Sequence, residues 1–155
     1  MIIRRARVED ASDIAKLHRE TIRKVNSKDY NKKQIDVWCK RNTNKYFIDA
    51  LKKRKVFFVA LEKNKIIGCA SISLNKEKIG GLYIKPYLIG KGVGSNLLDK
   101  VEDYAKKHGL KLLELDSTIT AFDFYKSKGY KKIKRTNALF NNIKIPCILM
   151  KKVLK

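Results

Sequence analysis

The chain has 155 residues, of which 37 are lysine or arginine and 15 are aspartate or glutamate, giving a formal net charge of +22. This length suits one domain with its own core, so we expect a single domain over residues 1–155. The charge suggests nucleic-acid binding, but 29 of the cations are lysines scattered along the chain and only 8 are arginines. Because base-specific contacts depend largely on arginine, we expect no specific nucleic-acid binding.

The first half of the chain predicts one strand and three helices. Ile2, Ile3 and Ala6 indicate a strand, and apolar residues at helical spacing indicate a helix that ends near Lys24. Acidic residues at the start of this helix suit the positive end of its dipole. Two polar breaks, NSKDYNKK and RNTN, then separate two further helical stretches, the first around Trp38 and the second over residues 46–51.

From Val56 the pattern changes to strands. VFFVALE, a polar turn and IIGCASISL predict a hairpin, and KIGGLYIK predicts a third strand in which Gly80 and Gly81 mark either a bulge or a plain twist point. An amphipathic helix then ends at His108 and Gly109. The sequence after Gly109 predicts the strand LKLLELD, the short helix TAFDFYKSK and the strands YKKIK and IKIPCILMKKVL. This order predicts an α/β fold with a mixed sheet flanked by helices.

The three cysteines, Cys39, Cys69 and Cys147, are far apart and form no CxxC pair. We expect three reduced core residues rather than a disulfide framework. With His18 and His108 as the two histidines, no metal site is expected. The chain has no apolar run near 18 residues and no leader-like start, which predicts a cytoplasmic protein without a membrane partner.

Residues 82–95, LYIKPYLIGKGVGS, join a predicted strand to a predicted helix through Gly90, Gly92 and Gly94. Glycine lets the backbone approach a ligand closely, and the first amides of a helix are unpaired donors at the positive end of a dipole. Such a turn suits a phosphate group. It lacks the order of a Walker A loop and the spacing of a dinucleotide fingerprint, and on glycine spacing alone a plain tight turn fits as well.

The longer run LYIKPYLIGKGVGSNLL resembles the acyl-CoA signature of the Gcn5-related N-acetyltransferases (GNAT), [Q/R]xxGx[G/A], which here reads Ile89-x-x-Gly92-x-Gly94. A second block, LDSTITAFDFYKSKGY, resembles the later strand and helix of the family with its FYxxxGF ending. Ile89 stands where the family usually has Gln or Arg. The resemblance implies that this position works mainly through its backbone amide.

The resemblance implies a single-domain acyl-CoA N-acyltransferase fold with a mostly antiparallel sheet. It also implies transfer of an acetyl group from acetyl-CoA, the cosubstrate, to a primary amine in a ternary complex without a metal. Lys126 and Lys128 are candidates for the 3′-phosphate of the cofactor. The implied cofactor-binding residues are Leu82, Tyr83, Ile84, Ile89, Gly90, Lys91, Gly92, Val93, Gly94, Ser95 and Thr118.

Tyr125, in the second block, is the implied general acid, because a phenol is protonated at neutral pH and is able to donate to a departing thiolate. A packed aromatic residue is the alternative. Tyr30 and Trp38 are predicted to contact the acceptor, in an aromatic-rich group that is equally consistent with a core. The group consists of Asp29, Tyr30, Gln34, Trp38, Tyr46 and Phe47.

The general base that would deprotonate the acceptor amine is left open. The candidates are His18, Glu20, Tyr30, Glu114, Asp116 and a water relay.

The competing hypothesis is a non-catalytic domain of degenerate acetyltransferase fold that senses CoA or associates with nucleic acid. Tyr125 and the intact Gly92-x-Gly94 favour the enzyme, whereas Ile89 and the lack of an obvious base favour the alternative. The positive charge suits capture of the phosphates of CoA. The acceptor and the formation of a homodimer are left open.

Overall fold

A computed structural model describes all 155 residues, which form one seven-stranded sheet and five α-helices. The strands are β1 (Ile2–Arg5), β2 (Val56–Glu62), β3 (Lys65–Ser73), β4 (Lys78–Ile84), β5 (Leu112–Thr118), β6 (Lys131–Phe140) and β7 (Ile143–Val153). The helices are α1 (Ala11–Lys24), α2 (Lys32–Arg41), α3 (Asn44–Lys52), α4 (Val93–Lys107) and α5 (Phe122–Ser127). No helix combines the length and the apolar character needed to cross a membrane.

The strands lie in the order β1-β2-β3-β4-β5-β7-β6, and every neighbouring pair is antiparallel except β4 and β5. This confirms the mixed, mostly antiparallel sheet. The parallel pairing is short, because only Lys78 and Ile79 of β4 lie opposite Glu114 and Leu115 of β5. Beyond Ile79, β4 pairs with β3 and β5 pairs with β7, so the sheet opens between β4 and β5.

A β-bulge lies where the sheet opens. Ser71 of β3 lies opposite Gly81 and Ile72 lies opposite Ile79, which leaves Gly80 as an extra residue in β4. A side chain here would force Ser71 to change its rotamer, because a Cβ atom on Gly80 would lie 2.5 Å from the Ser71 Oγ atom. Of the two interpretations of the glycine pair, the structure supports the bulge, which bends β4 and disrupts its pairing locally.

Apolar clusters cover both faces of the sheet. Successive residues of β2 alternate between them, so that Phe58 joins the cluster under α4 and Val59 joins the cluster under α1 and α3. A third cluster packs α2 against β7 through Trp38 and Ile145. The three cysteines are buried, which confirms their predicted placement in the core. Burial raises the pKa of each cysteine thiol, and a protonated thiol is a poor nucleophile.

The last hairpin is longer than the sequence predicts. The predicted strand YKKIK ended at Lys134, whereas β6 continues to Phe140, which pairs with Ile143. Asn141 and Asn142 have φ values of 48° and 62°, as a two-residue turn between twisted antiparallel strands requires. The predicted end of the strand was wrong because the residues RTNALFNN between the two predicted strands do not form only a polar turn: they contain an edge strand followed by a tight asparagine turn.

A buried polar network ties α4 to β7. Glu102 of α4 accepts a hydrogen bond from the Tyr130 hydroxyl at 2.9 Å and pairs with the Lys152 Nζ atom at 2.9 Å. The Glu102 side chain is 10% exposed and the Lys152 side chain is 26% exposed. Burial, together with the Glu102 carboxylate, raises the pKa of Tyr130, so its hydroxyl remains a donor.

We expect Glu102→Ala to lower the free energy of unfolding by about 2–4 kcal/mol, because it leaves Lys152 and the Tyr130 hydroxyl without their acceptor. Chemical denaturation measures this change. The matched control is Asp103→Ala on the exposed side of the same helix, where the 3.6 Å pair with Lys106 is solvated. That variant should change stability by less than about 0.5 kcal/mol. Equal losses in both variants would contradict the network.

Candidate active site

The opening in the sheet exposes one edge of β4. From Gly80 to Ile84 this strand has a neighbour on the β3 side only, because its pairing with β5 ends at Ile79. The carbonyl oxygen of Ile84 accepts a hydrogen bond from the Thr21 hydroxyl of α1 at 2.9 Å. Peptide groups on the rest of this edge are available to a ligand lying between the two strands.

The glycine loop lies at the end of this opening. Gly90 and Gly92 have φ values of +82° and +91°, a backbone region that glycine enters without strain, and Gly92 is the N-cap of α4. The first hydrogen bond into the helix goes from the Asn96 amide to the Gly92 carbonyl at 3.1 Å. The amides of Val93, Gly94 and Ser95 are therefore free donors.

The first turn of α4 suits an anion. It contains no acidic residue, so the positive end of the helix dipole is not neutralised by a carboxylate. Gly94 lies against α5, since a Cβ atom there would be 3.4 Å from the ring of Phe124. The Ile89 amide donates a hydrogen bond to the Pro86 carbonyl at 3.4 Å, and Ile89 is 48% exposed. Free amides beside the opening thus offer a phosphate site.

Tyr125 lies on α5 and is buried, with 5% of its surface exposed. Burial, and then the neighbouring Tyr83 phenol, raises the pKa of Tyr125 above its ordinary value, so the hydroxyl remains protonated. This hydroxyl forms no hydrogen bond within the chain and is not one of the fully buried unpaired atoms. A phenolic proton is therefore available near Tyr83 of β4.

The other candidates for cofactor contact lie around the same opening. Thr118, at the end of β5, accepts a hydrogen bond from the Ala121 amide at 3.1 Å, which shapes the turn into α5. Lys126 is exposed, and the Lys128 ammonium lies 5.9 Å from the centroid of the Phe124 ring. Neither lysine forms an ion pair.

A groove of about 640 Å³ lies on the face of the sheet covered by α1–α3. We call it the α1–α3 groove. Its lining includes Gly80, Gly81 and Tyr83 of β4, so the groove reaches the bulge where the sheet opens. His18 and Phe47 also line it. A second molecule in this groove would therefore lie beside a ligand held along the free edge of β4.

His18 is held by aromatic rings and by Asn42. Its ring stacks on Tyr83 with centroids 3.9 Å apart and meets Phe47 edge-on at 4.7 Å. Asn42 donates to the Trp38 carbonyl at 2.8 Å, which turns its Oδ1 atom towards His18 Nδ1 at 3.3 Å. Nδ1 must therefore carry the proton. Nε2 is a buried acceptor without a partner, a state that costs about 1–3 kcal/mol.

None of the predicted bases is placed as a strong base in the groove. Burial lowers the pKa of His18 to about 3, so its ring is neutral and only weakly basic. Glu20 is paired with Lys85 at 2.8 Å and Asp116 with Lys78 at 2.7 Å. Neither of these carboxylates, nor Glu114, is among the residues that line the groove.

The predicted acceptor contacts Tyr30 and Trp38 lie behind the groove rather than in it. Their rings meet edge-on at 5.3 Å in the cluster against which Tyr83 packs. The Tyr30 hydroxyl donates to the Pro146 carbonyl at 2.6 Å and accepts from the Ile119 amide at 2.9 Å. Burial raises the pKa of Tyr30 to about 12, which makes it a poor base candidate. In this position both residues pack behind Tyr83, and a direct contact of either with the acceptor stays a prediction.

Arg41 and Asn42 are two groove residues that sequence reasoning missed. They follow one another at the end of α2 and resemble any polar helix terminus. Asn42 is 3% exposed. The burial of this amide side chain distinguishes it from an ordinary helix terminus, and the sequence does not show that burial.

Comparisons with known proteins agree with this geometry. A family model described as an acetyltransferase (GNAT) domain matches residues 26–154. An uncharacterised N-acetyltransferase of Methanocaldococcus jannaschii is 28% identical over 138 residues, which are 84% of this chain and 60% of that relative. The chain thus spans about three-fifths of the length of this relative.

Solved structures show the same fold. A GCN5-related N-acetyltransferase from Rhodopseudomonas palustris has a TM-score of 0.92 and 25% identity, covering 99% of this chain and 95% of that one. The PaiA N-acetyltransferase of Thermoplasma acidophilum, solved in complex with coenzyme A, has a TM-score of 0.80 and 21% identity, covering 98% of each chain. On the family match and the shared fold together, this chain belongs to the GNAT acetyltransferase family.

Proposed function

We propose that the protein transfers an acetyl group from acetyl-CoA directly to a primary amine in a ternary complex. The observation that carries this proposal is the opening between β4 and β5. It brings the free edge of β4, the amides at the start of α4, Tyr125 and the inner end of the α1–α3 groove to one place.

The cofactor would enter through the glycine loop. The amides of Val93, Gly94 and Ser95 would donate to the pyrophosphate, with Gly90, Lys91 and Gly92 shaping the turn and Ile89 contributing its backbone. The pantetheine arm would lie along Leu82, Tyr83 and Ile84 and replace the strand pairing that β4 lacks beyond Ile79. Thr118 would border the arm from the β5 side.

In the transfer step the neutral amine nitrogen attacks the thioester carbonyl carbon, and a C–N bond forms while the carbonyl oxygen becomes negative. A free amide of β4 near the bulge would donate to this oxygen. The C–S bond then breaks while the Tyr125 hydroxyl donates a hydrogen bond to the departing sulfur, the nitrogen loses one proton to solvent, and solvent returns one proton to the sulfur. The products are the N-acetyl amine and CoA with a free thiol.

Electrostatics favours a neutral amine in this groove. The residues that line it include cations and no carboxylate. Nearby positive charges lower the pKa of a bound ammonium, because they disfavour its charged form. The neutral nucleophile is thus more populated without a dedicated base, and water accepts the proton.

The test is to incubate the protein with acetyl-CoA and a panel of primary amines, and to measure the N-acetyl product and the CoA thiol. We expect one thiol per acetylated amine and initial-rate plots that intersect, as a ternary complex requires. Tight acetyl-CoA binding without transfer would instead support the CoA-sensing alternative. Salt-resistant, sequence-selective binding of duplex DNA or RNA would support the nucleic-acid alternative.

A further inference from the structure

The α1–α3 groove carries positive charge that no carboxylate balances. Its five cationic side chains form no ion pair anywhere in the chain. A potential of this sign attracts anionic molecules and repels cationic ones, most strongly at low salt. These side chains are Arg41, Lys53, Arg54, Lys55 and Lys76.

Arg41 is held in place by aromatic rings. Its guanidinium carbon lies 4.8 Å from the centroid of the Tyr46 ring and 4.9 Å from that of the Phe140 ring. One of its nitrogens also donates to the Tyr46 hydroxyl at 3.3 Å. The guanidinium is thus restrained while its other N–H groups are free, and a planar set of donors matches the oxygens of a carboxylate or phosphate.

His18 supplies an independent sign that a polar ligand belongs here. It lines the groove, is 7% exposed and keeps an unprotonated Nε2 atom without a hydrogen-bond partner. The Asn42 contact fixes this tautomer. A neutral imidazole nitrogen accepts a hydrogen bond from an N–H group, which the amine of an acceptor provides and a carboxylate does not.

We propose that the acceptor is a small primary amine that also carries a carboxylate or phosphate group, with Arg41 and the cations of residues 53–55 holding the anion. The amine lies at the inner end of the groove, beside His18 and the bulge. This inference rests on the proposed acetyl transfer and adds the class of acceptor. It excludes polyamines as preferred acceptors, because a second ammonium would lie among cations.

The experiment compares acceptors that differ only in the distant group. Straight-chain ω-amino carboxylates of graded length are matched with their carboxamides and with the corresponding diamines, and ω-amino phosphate esters are matched with their alcohols. We expect kcat/KM to be about 10-fold higher for the best anionic acceptor than for its neutral partner, since one charge-assisted contact accounts for such a ratio. The diamine should be the poorest substrate, and added salt should reduce the preference.

Arg41→Gln tests the anion site directly. This variant should lower kcat/KM for the anionic acceptor by about 10-fold. The kcat/KM for the neutral partner and the KM for acetyl-CoA should stay unchanged. The matched control is Arg23→Gln, which removes an exposed arginine of α1 outside the groove and should leave all acceptors unaffected. A selective loss in Arg41→Gln with none in Arg23→Gln supports the site.

Two outcomes overturn the inference in distinguishable ways. Transfer to neutral amines or diamines at rates equal to the anionic acceptors overturns the charge preference but leaves the acetyltransferase proposal intact. Acetyl-CoA binding without transfer to any member of the panel counts against the proposed function and against this inference with it. A preference for phosphate over carboxylate, or the reverse, supports the inference and identifies the anion.

Discussion

Tyr125→Phe is expected to lower kcat by about 100-fold to 1,000-fold, within the range typical of losing general acid assistance. The raised pKa of Tyr125 keeps the proton on the phenol, so full transfer to a thiolate with a thiol pKa of about 8.5 is uphill. The hydroxyl therefore acts largely as a hydrogen-bond donor to the departing sulfur. This places the expected loss towards the lower end of the range, and steady-state kinetics with a good acceptor measures it.

The KM for acetyl-CoA should change little, because the ring of Tyr125 still packs against Phe124 and Tyr130. Stability should also be kept, since the hydroxyl has no partner within the chain. Tyr104→Phe on α4 is the matched control, as its hydroxyl also forms no hydrogen bond and its ring packs on Phe58. Full kcat in Tyr125→Phe, together with the absence of a pre-steady-state burst of product, which shows that chemistry limits turnover, would contradict the role of Tyr125 as general acid.

The direction of this pKa shift also predicts the pH profile. Because burial raises the pKa of Tyr125, the hydroxyl remains a donor throughout the neutral and moderately alkaline range. We therefore expect kcat to rise with pH as the acceptor amine loses its proton and then to level off. A fall in kcat between pH 8 and about 10, the ordinary pKa of tyrosine, that Tyr125→Phe abolishes would contradict this assignment.

The second large effect is expected from the glycine loop. A double variant, Gly92→Val with Gly94→Val, should weaken acetyl-CoA binding by about 100-fold or more, since losing two charge-assisted hydrogen bonds costs on the order of 3–6 kcal/mol. Valine at Gly92 is strained by the φ of +91°, which displaces the first amides of α4. Valine at Gly94 adds bulk 3.4 Å from Phe124, in the space beside the opening. Calorimetry measures the affinity.

Gly109→Val is the matched control because it places the same strain at the other end of the same helix. Gly109 has a φ of +83°, and a Cβ atom there meets nothing within 4 Å. Any loss of stability shared with Gly92→Val should therefore appear in this variant, while its acetyl-CoA affinity stays at the wild-type value. Wild-type affinity in the double loop variant would show that the cofactor binds elsewhere.

Local patterns in the sequence were sufficient to predict most of the fold. Helical spacing identified α1 and α4, and the polar turn after β2 identified a hairpin whose Lys63 and Asn64 have positive φ values of 51° and 62°. The family was indicated by the resemblance of the run LYIKPYLIGKGVGSNLL and of the FYxxxGY block to its motifs, and not by glycine spacing alone. The one clear error, the end of β6 at Lys134, arose where strand pairing rather than composition decides the structure.

The acceptor side of the candidate site depends on tertiary contacts. Tyr30 and Trp38 were predicted to contact the acceptor, but Tyr30, just before α2, and Trp38, on α2, pack in the buried cluster behind Tyr83, since burial of a large aromatic surface is favourable. Asn42, 24 positions away from His18 in sequence, selects the tautomer of that histidine. Burial and long-range pairing set this chemistry, and neither is encoded in the spacing of neighbouring residues.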